Sequence, residues 1–177
     1  MVKLFDKSIG ILGGSFDPVH KGHLNISKIA CKKINLNILF WIITKKNPFK
    51  KKVYFSLKNR IKLAKKASKN LKKIKVLYLD NKIKSPRSIN LINYFIKKKK
   101  LKNIYFIIGS DVLIEFHKWK SRKKIVKLTK LVDFSRKRYD KKGKNSIVAK
   151  FLKNKNIIYI KNKPIVISST SIRKKLF

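Results

Sequence analysis

The chain has 177 residues, of which 44% are hydrophobic, and 49 lysines and arginines against 7 acidic residues give it a net charge of +42. This length can bury a substantial core, so we expect a single globular domain over residues 1–177. No apolar run approaches the roughly 20 residues of a membrane span, which argues against a membrane protein. The lone cysteine, Cys31, cannot form an internal disulfide, and the N-terminus is too short for a signal peptide; both favour a cytoplasmic location.

The positive charge allows two interpretations. Basic proteins often bind nucleic acid, because lysine and arginine neutralise phosphates and release counterions. Here, however, the lysines are spread over every polar face and loop, and the chain lacks a basic tail, zinc-finger spacing and an aromatic RNA-binding strand. We interpret the charge as a compositional bias on an ordinary enzyme with no specific nucleic-acid partner. A polyanion-binding protein is the alternative from a different functional class.

Strand and helix patterns alternate along the chain. The predicted strands are, in chain order, residues 8–12, 38–43, 74–79, 103–108, 130–134 and 157–160. Between them we predict helices over residues 22–34, from an N-cap at Ser56 to about 71, and over 89–100, 123–129 and 146–152, with a short C-terminal helix from about 170. Repeated units of this length imply a Rossmann-like, doubly wound parallel sheet of five to six strands with helices on both faces.

The most informative segment is residues 13–23, which read Gly-Gly-Ser-Phe-Asp-Pro-Val-His-Lys-Gly-His. It joins the first strand to the first helix, and ligands of such sheets bind at the carboxyl ends of strands. Gly13 and Gly14 permit close approach of a ligand to the backbone, and the helix N-terminus attracts phosphate. His20 and His23 add two donors. With no serine nucleophile paired to them, this pattern favours phosphoryl or nucleotidyl transfer over acyl transfer.

A second phosphate-binding pattern lies near the C-terminus. Residues 167–173 read Ile-Ser-Ser-Thr-Ser-Ile-Arg and precede the terminal helix. Hydroxyl groups at a helix N-terminus together with an arginine form a phosphate cradle. The two segments are unrelated in sequence but predict the same kind of ligand.

These segments resemble those of the bacterial nicotinate-mononucleotide adenylyltransferases, within the nucleotidylyltransferases that carry a His-x-Gly-His motif. Residues 109–120, Gly-Ser-Asp-Val-Leu-Ile-Glu-Phe-His-Lys-Trp-Lys, are similar to that family's Gly-x-Asp-x-Leu-x-x-Phe-x-x-Trp segment. Residues 47–50, Asn-Pro-Phe-Lys, match its loop after the second strand, and Ser88 stands in place of its threonine beside the nicotinate carboxylate. The resemblance spans residues 9–173.

The resemblance implies adenylyl transfer from ATP to nicotinate mononucleotide, with release of pyrophosphate. His20 and His23 would be catalytic. Mg²⁺ would be bound through the ATP phosphates, with no metal ligand from the protein. ATP would be bound by Gly13, Gly14, Ser15, Phe16, Gly109, Asp111, Ser168, Ser169, Thr170, Ile172 and Arg173. Nicotinate mononucleotide would be bound by Lys50, Ser88, Trp119 and Arg136.

Some features depart from the family or were assigned no function. The usual Arg-Pro-Gly after the fifth strand is replaced by Ser-Arg-Lys-Arg at residues 135–138, where Arg136 would keep the arginine's role. Asp133 falls where an apolar strand residue is expected. Arg60 is interpreted as part of a solvated helix face, and His117 as structural or solvent-facing. The closest enzymatic alternative is a pantetheine-phosphate adenylyltransferase-like enzyme, and the sequence leaves the choice of monomer or homo-oligomer open.

Overall fold

The computed structural model describes residues 7–45, 52–83, 85, 87–136, 138–153, 155–162, 165 and 167–176. Within these residues the chain alternates between strands and helices. The strands are β1 (Ile9–Gly14), β2 (Ile38–Ile43), β3 (Ile74–Leu77), β4 (Ile104–Gly109), β5 (Lys130–Phe134) and β6 (Ile157–Ile160). The α-helices are α1 (Lys21–Lys33), α2 (Leu57–Ser68), α3 (Ser88–Lys99), α4 (Ser110–Glu115), α5 (Arg122–Leu128), α6 (Asp140–Lys144), α7 (Ile147–Phe151) and α8 (Ser169–Leu176).

The strands form one six-stranded sheet in the order β3-β2-β1-β4-β5-β6. Every neighbouring pair is parallel. This is the doubly wound order in which β1 and β4 flank the point where the strand order reverses. The predicted Rossmann-like fold is confirmed. The carboxyl ends of β1 and β4 therefore mark the edge at which a ligand is expected.

Two apolar cores cover the two faces of the sheet. One core lies between the sheet and helices α3, α5 and α7, and it includes Ile9 and Ile11 of β1. The second core packs Trp41 and Ile43 against α1 and α2. Burial on both faces explains why β2, Ile38–Ile43, is a continuous apolar run instead of an alternating one.

The structure departs from the sequence prediction in several elements. Strand β1 continues through Gly14, because Gly13 and Gly14 pair with Ile42 and Ile43 of β2. Strand β3 ends at Leu77, two residues early. Helix α6 was not predicted, since its sequence Asp-Lys-Lys-Gly-Lys has no apolar periodicity. The predicted N-cap at Ser56 is confirmed, with its side chain accepting from the Asn59 amide.

No helix in the described part of the chain is both long enough and apolar enough to span a bilayer.

Candidate active site

The two phosphate-binding patterns of the sequence meet at the carboxyl end of β1. The segment after β1 leads into α1, and the N-terminal turn of α8 packs against that segment. Ser169 Oγ donates to the Pro18 carbonyl at 2.9 Å, and Arg173 donates to the Asp17 carbonyl. The Ile167 side chain would lie 3.8 Å from a Cβ atom on Gly22. Segments separated by about 150 residues thus build one surface.

Hydrogen bonds from the segment after β2 and from α2 hold the backbone at the end of β1. The Gly14 carbonyl accepts from the Thr44 amide at 3.1 Å, and the Ser15 carbonyl accepts from Arg60 at 2.7 Å. A Cβ atom built on Gly13 would meet nothing within 4 Å in the described part of the chain. Open space beside a glycine at a strand end permits close approach of a ligand to the backbone.

Phe16 adopts a left-handed backbone conformation with a φ of 46°, and its side chain is buried. Its ring lies 4.6 Å from the ring of His23 and 5.2 Å from that of Trp41, measured between centroids. A left-handed conformation is unfavourable for an aromatic residue and persists where packing fixes it. The contact with the buried Phe16 ring therefore restrains the position of the His23 ring.

His20 and His23 form the N-terminal cap of α1. His20 Nδ1 accepts from the Gly22 amide at 3.1 Å, and His23 Nδ1 accepts from the His20 amide at 3.2 Å. A backbone amide can only donate, so Nδ1 of each neutral ring is unprotonated and the proton is on Nε2. The two rings are 3.9 Å apart. The cap therefore fixes both imidazoles in the tautomer that presents an Nε2–H donor.

The C-terminal pattern is ordered by its own hydroxyl groups. The Ser168 amide donates to Ser171 Oγ at 2.9 Å, and the Ser171 amide donates to Ser168 Oγ at 3.0 Å. Arg173 donates to Thr170 Oγ1 at 3.1 Å and stacks over the Tyr54 ring at 4.7 Å. Its side chain is 13% exposed. Ile172 is half-buried on the same helix.

Asp17 is buried and connects three parts of this surface. Its carboxylate accepts from the Tyr54 and Phe55 amides at 3.0 and 2.9 Å. Arg173 lies 3.8 Å from the same carboxylate. Charge-assisted bonds to backbone amides are among the stronger hydrogen bonds of proteins. Asp17 thereby fixes the backbone that precedes α2 and the arginine of α8.

The interpretation of Arg60 as a solvated residue was wrong. Its side chain is 1% exposed and donates to four backbone carbonyls at 2.7–3.0 Å. Burial lowers the pKa of its guanidinium, and the charges of Asp17 and Asp80 oppose that shift. The four carbonyls are those of Ser15, Thr44, Lys45 and Phe55. A guanidinium is buried here because the loops around it supply enough acceptors.

A carboxylate cluster occupies the carboxyl ends of β4 and β5. Asp111, the second residue of α4, accepts from Arg136 at 3.0 Å. A Cβ atom on Gly109 would lie 2.7 Å from Asp111 Oδ1 and 3.0 Å from Arg136 Nε. A larger residue at position 109 would therefore have to displace the side chains of this ion pair. Arg136 is brought to the end of β4 although its Arg-Pro-Gly context is altered.

Asp133 is buried in β5 beneath this ion pair. Ser110 Oγ donates to it at 2.9 Å, and its Oδ1 has no hydrogen-bond partner among the described residues. Burial raises the pKa of Asp133 to about 6, and the charges of Asp140 and Asp111 act in the same direction. Asp140 itself accepts from the Ser135 hydroxyl and the Arg136 amide. The departure from an apolar residue noted in the sequence thus belongs to a polar network.

The remaining predicted residues lie around the same edge, with one exception. Trp119 is half-buried and stacks on Phe116 at 4.9 Å, with Phe106 edge-on at 6.1 Å. Ser88 is the first residue of α3, which follows β3. Lys50 lies outside the described residues. His117 contacts the Ile114 carbonyl through Nδ1, in agreement with a structural role.

The fold and this site define the class to which the protein belongs. The family model described as Cytidylyltransferase-like matches residues 11–175. Several relatives of the chain are named as probable nicotinate-nucleotide adenylyltransferases. A protein of Pelagibacter ubique named "Probable nicotinate-nucleotide adenylyltransferase" is 47% identical over 94% of this chain and 92% of its own length.

The chain therefore belongs to the cytidylyltransferase-like family and, within it, to the nicotinate-nucleotide adenylyltransferases. Solved structures agree in fold. The nicotinic acid mononucleotide adenylyltransferase of Plasmodium falciparum complexed with APC has a TM-score of 0.76 at 20% identity, covering 95% of this chain and 83% of that chain. The same enzyme complexed with NaAD has a TM-score of 0.75 at 21% identity, with the same coverage.

Proposed function

We propose that this protein transfers the adenylyl group of ATP to nicotinate mononucleotide, giving nicotinate adenine dinucleotide and pyrophosphate in NAD biosynthesis. The observation that carries this proposal is the junction of the two phosphate-binding segments: the histidine-capped start of α1 and the serine-threonine-arginine turn of α8 share one surface. That junction sits at the reversal point of the sheet, where α/β proteins bind nucleotides.

In the proposed reaction an oxygen of the mononucleotide 5′-phosphate attacks the α-phosphorus of ATP. A new P–O bond forms, the bond from the α-phosphorus to the oxygen that bridges it to the β-phosphorus breaks, and pyrophosphate leaves with that electron pair. Such a transfer needs positioning and charge stabilisation more than covalent help from the protein. No enzyme-bound intermediate is required.

We assign the stabilising role to His20 and His23. Their Nδ1 atoms accept from backbone amides, so the proton of each neutral ring is on Nε2, and we propose that this donor binds a phosphate oxygen. The N-terminal amides of α1 favour negative charge at the same place. Donors fixed before the reaction lower its barrier, because they need no reorganisation as charge develops.

The remaining ATP contacts are proposed for the backbone after β1, the start of α4 and the start of α8. Arg173, Ser169 and Thr170 would bind the β- and γ-phosphates, and Ser168 and Ile172 belong to the same turn. Gly13, Gly14, Ser15 and Phe16 would lie along the nucleotide, with Gly109 and Asp111 on its other side. Arg173 is presented at this surface by its contacts with Asp17.

The acceptor nucleotide is proposed to bind toward β4 and α3. The partly exposed ring of Trp119 would stack on the pyridine ring, an interaction worth about 1–3 kcal/mol on a nucleobase. Arg136 is exposed beside Asp111 and could reach a phosphate or carboxylate. Ser88 and Lys50 complete the proposed set for the nicotinate carboxylate and the phosphate.

Magnesium is proposed to arrive with ATP, bound by the phosphate oxygens. Among the described residues there is no group of three or more histidine, cysteine, aspartate or glutamate side chains that could hold a metal ion. The buried carboxylate of Asp17, in the segment after β1, already accepts from two backbone amides and pairs with Arg173. We therefore assign no step to a protein-bound metal.

We also propose that residues 1–177 form a single domain and that the protein is located in the cytoplasm.

The test is pyrophosphate release with one nucleoside triphosphate and one acceptor at a time. We expect release with ATP and nicotinate mononucleotide, and much less with CTP. Nicotinamide mononucleotide and 4′-phosphopantetheine are the competing acceptors. Faster release with phosphopantetheine would replace the proposal by its enzymatic alternative, and no release with any acceptor would refute it.

A further inference from the structure

The Arg60 guanidinium connects three backbone segments that converge on the site. Nη1 donates to the carbonyls of Ser15 at 2.7 Å and Thr44 at 2.8 Å, and Nη2 donates to Lys45 at 3.0 Å. Nε donates to Phe55 at 3.0 Å. These carbonyls belong to the segment after β1, the segment after β2 and the residue before the N-cap of α2. One side chain of α2 therefore crosslinks three loop segments.

The contact with Ser15 has a consequence for the site. In a trans peptide the carbonyl and the following N–H point in opposite directions, so fixing the Ser15 carbonyl fixes the Phe16 N–H. The Gly14 carbonyl is held on the same side by Thr44, which fixes the Ser15 N–H in the same way. Thr44 and Arg60 thus fix the orientation of the Ser15 and Phe16 amides through the carbonyl groups that precede them.

Carboxylates complete this support. The Lys45 amide donates to Asp80 at 2.8 Å, and the amides of Tyr54 and Phe55 donate to Asp17. The segment after β2 and the segment before α2 therefore each give carbonyls to Arg60 and neighbouring amides to an aspartate or, at Thr44, to Gly14. Such reciprocal bonding leaves the loops little freedom to shift.

We propose that Arg60 is a positioning residue for the adenylyl transfer, and this inference rests on the proposed function. It touches no substrate. It holds the backbone of Ser15 and Phe16, and through the packed ring of Phe16 it holds His23, at the distance that the α-phosphate requires. A misplacement of about 1 Å in such a site costs about a hundredfold in rate.

The test compares Arg60→Met, Arg60→Lys and a control, Arg122→Met, which removes an exposed arginine at the start of α5. Rates are measured where circular dichroism shows each variant fully folded. We expect kcat of Arg60→Met to fall about a hundredfold with KM for ATP within about threefold, because a shifted loop impairs the transition state more than binding. Arg60→Lys should recover part of kcat, since its ammonium retains three donors.

Amide hydrogen exchange gives a readout that does not depend on activity. Protection at Thr44, Lys45, Tyr54 and Phe55 should fall at least about tenfold in Arg60→Met, and protection in β4 and β5 should not change. Unchanged kcat in both folded Arg60 variants, or an equal loss of protection throughout the sheet, would overturn the inference. If Arg60→Met does not fold, Arg60→Lys decides by the same criteria. If the unmodified chain releases no pyrophosphate, the proposed function fails and the exchange pattern alone decides on Arg60.

Discussion

Arg173 of α8 and Asp17 of the segment after β1 are in direct contact although 156 residues separate them. The guanidinium donates to the Asp17 carbonyl and lies 3.8 Å from its carboxylate, and both side chains are largely removed from solvent. The same carboxylate holds the amides before α2. Asp17 therefore couples the stability of α8 to the shape of the site.

Replacing Asp17 by asparagine should destabilise the fold by about 2–4 kcal/mol, because a buried arginine loses its counter-charge and one amide bond is weakened. Urea unfolding measures this change. The KM for ATP should rise as well, since α8 is less firmly docked. Glu115→Gln is the matched carboxylate-to-amide control at the exposed end of α4 and should leave both quantities unchanged. Equal effects of the two substitutions would contradict the role given to Asp17.

Replacing His23 by alanine should lower kcat by about two to three powers of ten, the usual loss for a preorganised donor to a developing oxyanion. The structure adds a modest loss of stability, about 1 kcal/mol, because His23 also caps α1. Steady-state pyrophosphate release and thermal unfolding separate the two effects. His117→Ala is the control within the same residue type, since the His117 ring bonds the Ile114 carbonyl and no substrate contact is assigned to it. Turnover at the unmodified rate in His23→Ala would contradict the assignment.

Asp133 makes stability depend on pH. Its pKa of about 6 in the folded protein is above its ordinary value of 3.8. The folded state therefore binds more protons than the unfolded state between about pH 4 and 6, and stability decreases as pH rises through this range. Above it the full penalty of a buried charge is present.

Asp133→Asn should remove that penalty. We expect the variant to be more stable than the unmodified chain by about 1–3 kcal/mol at pH 7.5 and to lose most of the difference near pH 4. Chemical denaturation at a series of pH values measures the slope. The Glu115→Gln variant should still lose stability as pH rises through this range, because Asp133 is intact. A stability difference that does not vary with pH would show that Asp133 is not the titrating group.

Alanine substitutions at two glycines of the site should impair the enzyme in different ways, one through kcat and the other through KM. A Cβ atom on Gly22 would lie 2.9 Å from the His20 ring, whereas one on Gly13 would meet nothing within 4 Å. Gly22→Ala should therefore displace His20 and lower kcat. Gly13→Ala should retain stability within about 0.5 kcal/mol and raise KM for ATP, because the methyl group occupies the space proposed for the ligand. Substrate titrations of both variants, with thermal unfolding, test this contrast.

The order of elements could be predicted because apolar runs such as 38–43 and capped helices such as the one after Ser56 are local signals. The two phosphate-binding segments were also visible, since glycines, histidines and hydroxyl groups in short spans have few other uses. The structure brings the two segments together, but the roles of the individual residues in them are still predictions. The short helix α6 gave no periodic signal and was missed.

Arg60 and Asp133 show what local sequence could not supply. A lysine-rich helix gives no sign that one of its arginines is buried, because the acceptors come from residues 15, 44, 45 and 55. Asp133 stood out as a departure, but its partner Ser110 lies in a different strand–helix unit. Both residues depend on contacts between loops whose relative placement is set by the whole sheet.

The docking of α8 on the first loop also bears on how the protein is made. During synthesis β1 leaves the ribosome early, yet the Ser169 and Arg173 contacts that hold Pro18 and Asp17 are translated about 150 residues later. A nascent chain can therefore pair its first strands well before it can present the completed phosphate surface. Nonsense codons or proteolytic trimming within α8 should yield a folded sheet that no longer consumes nucleotide.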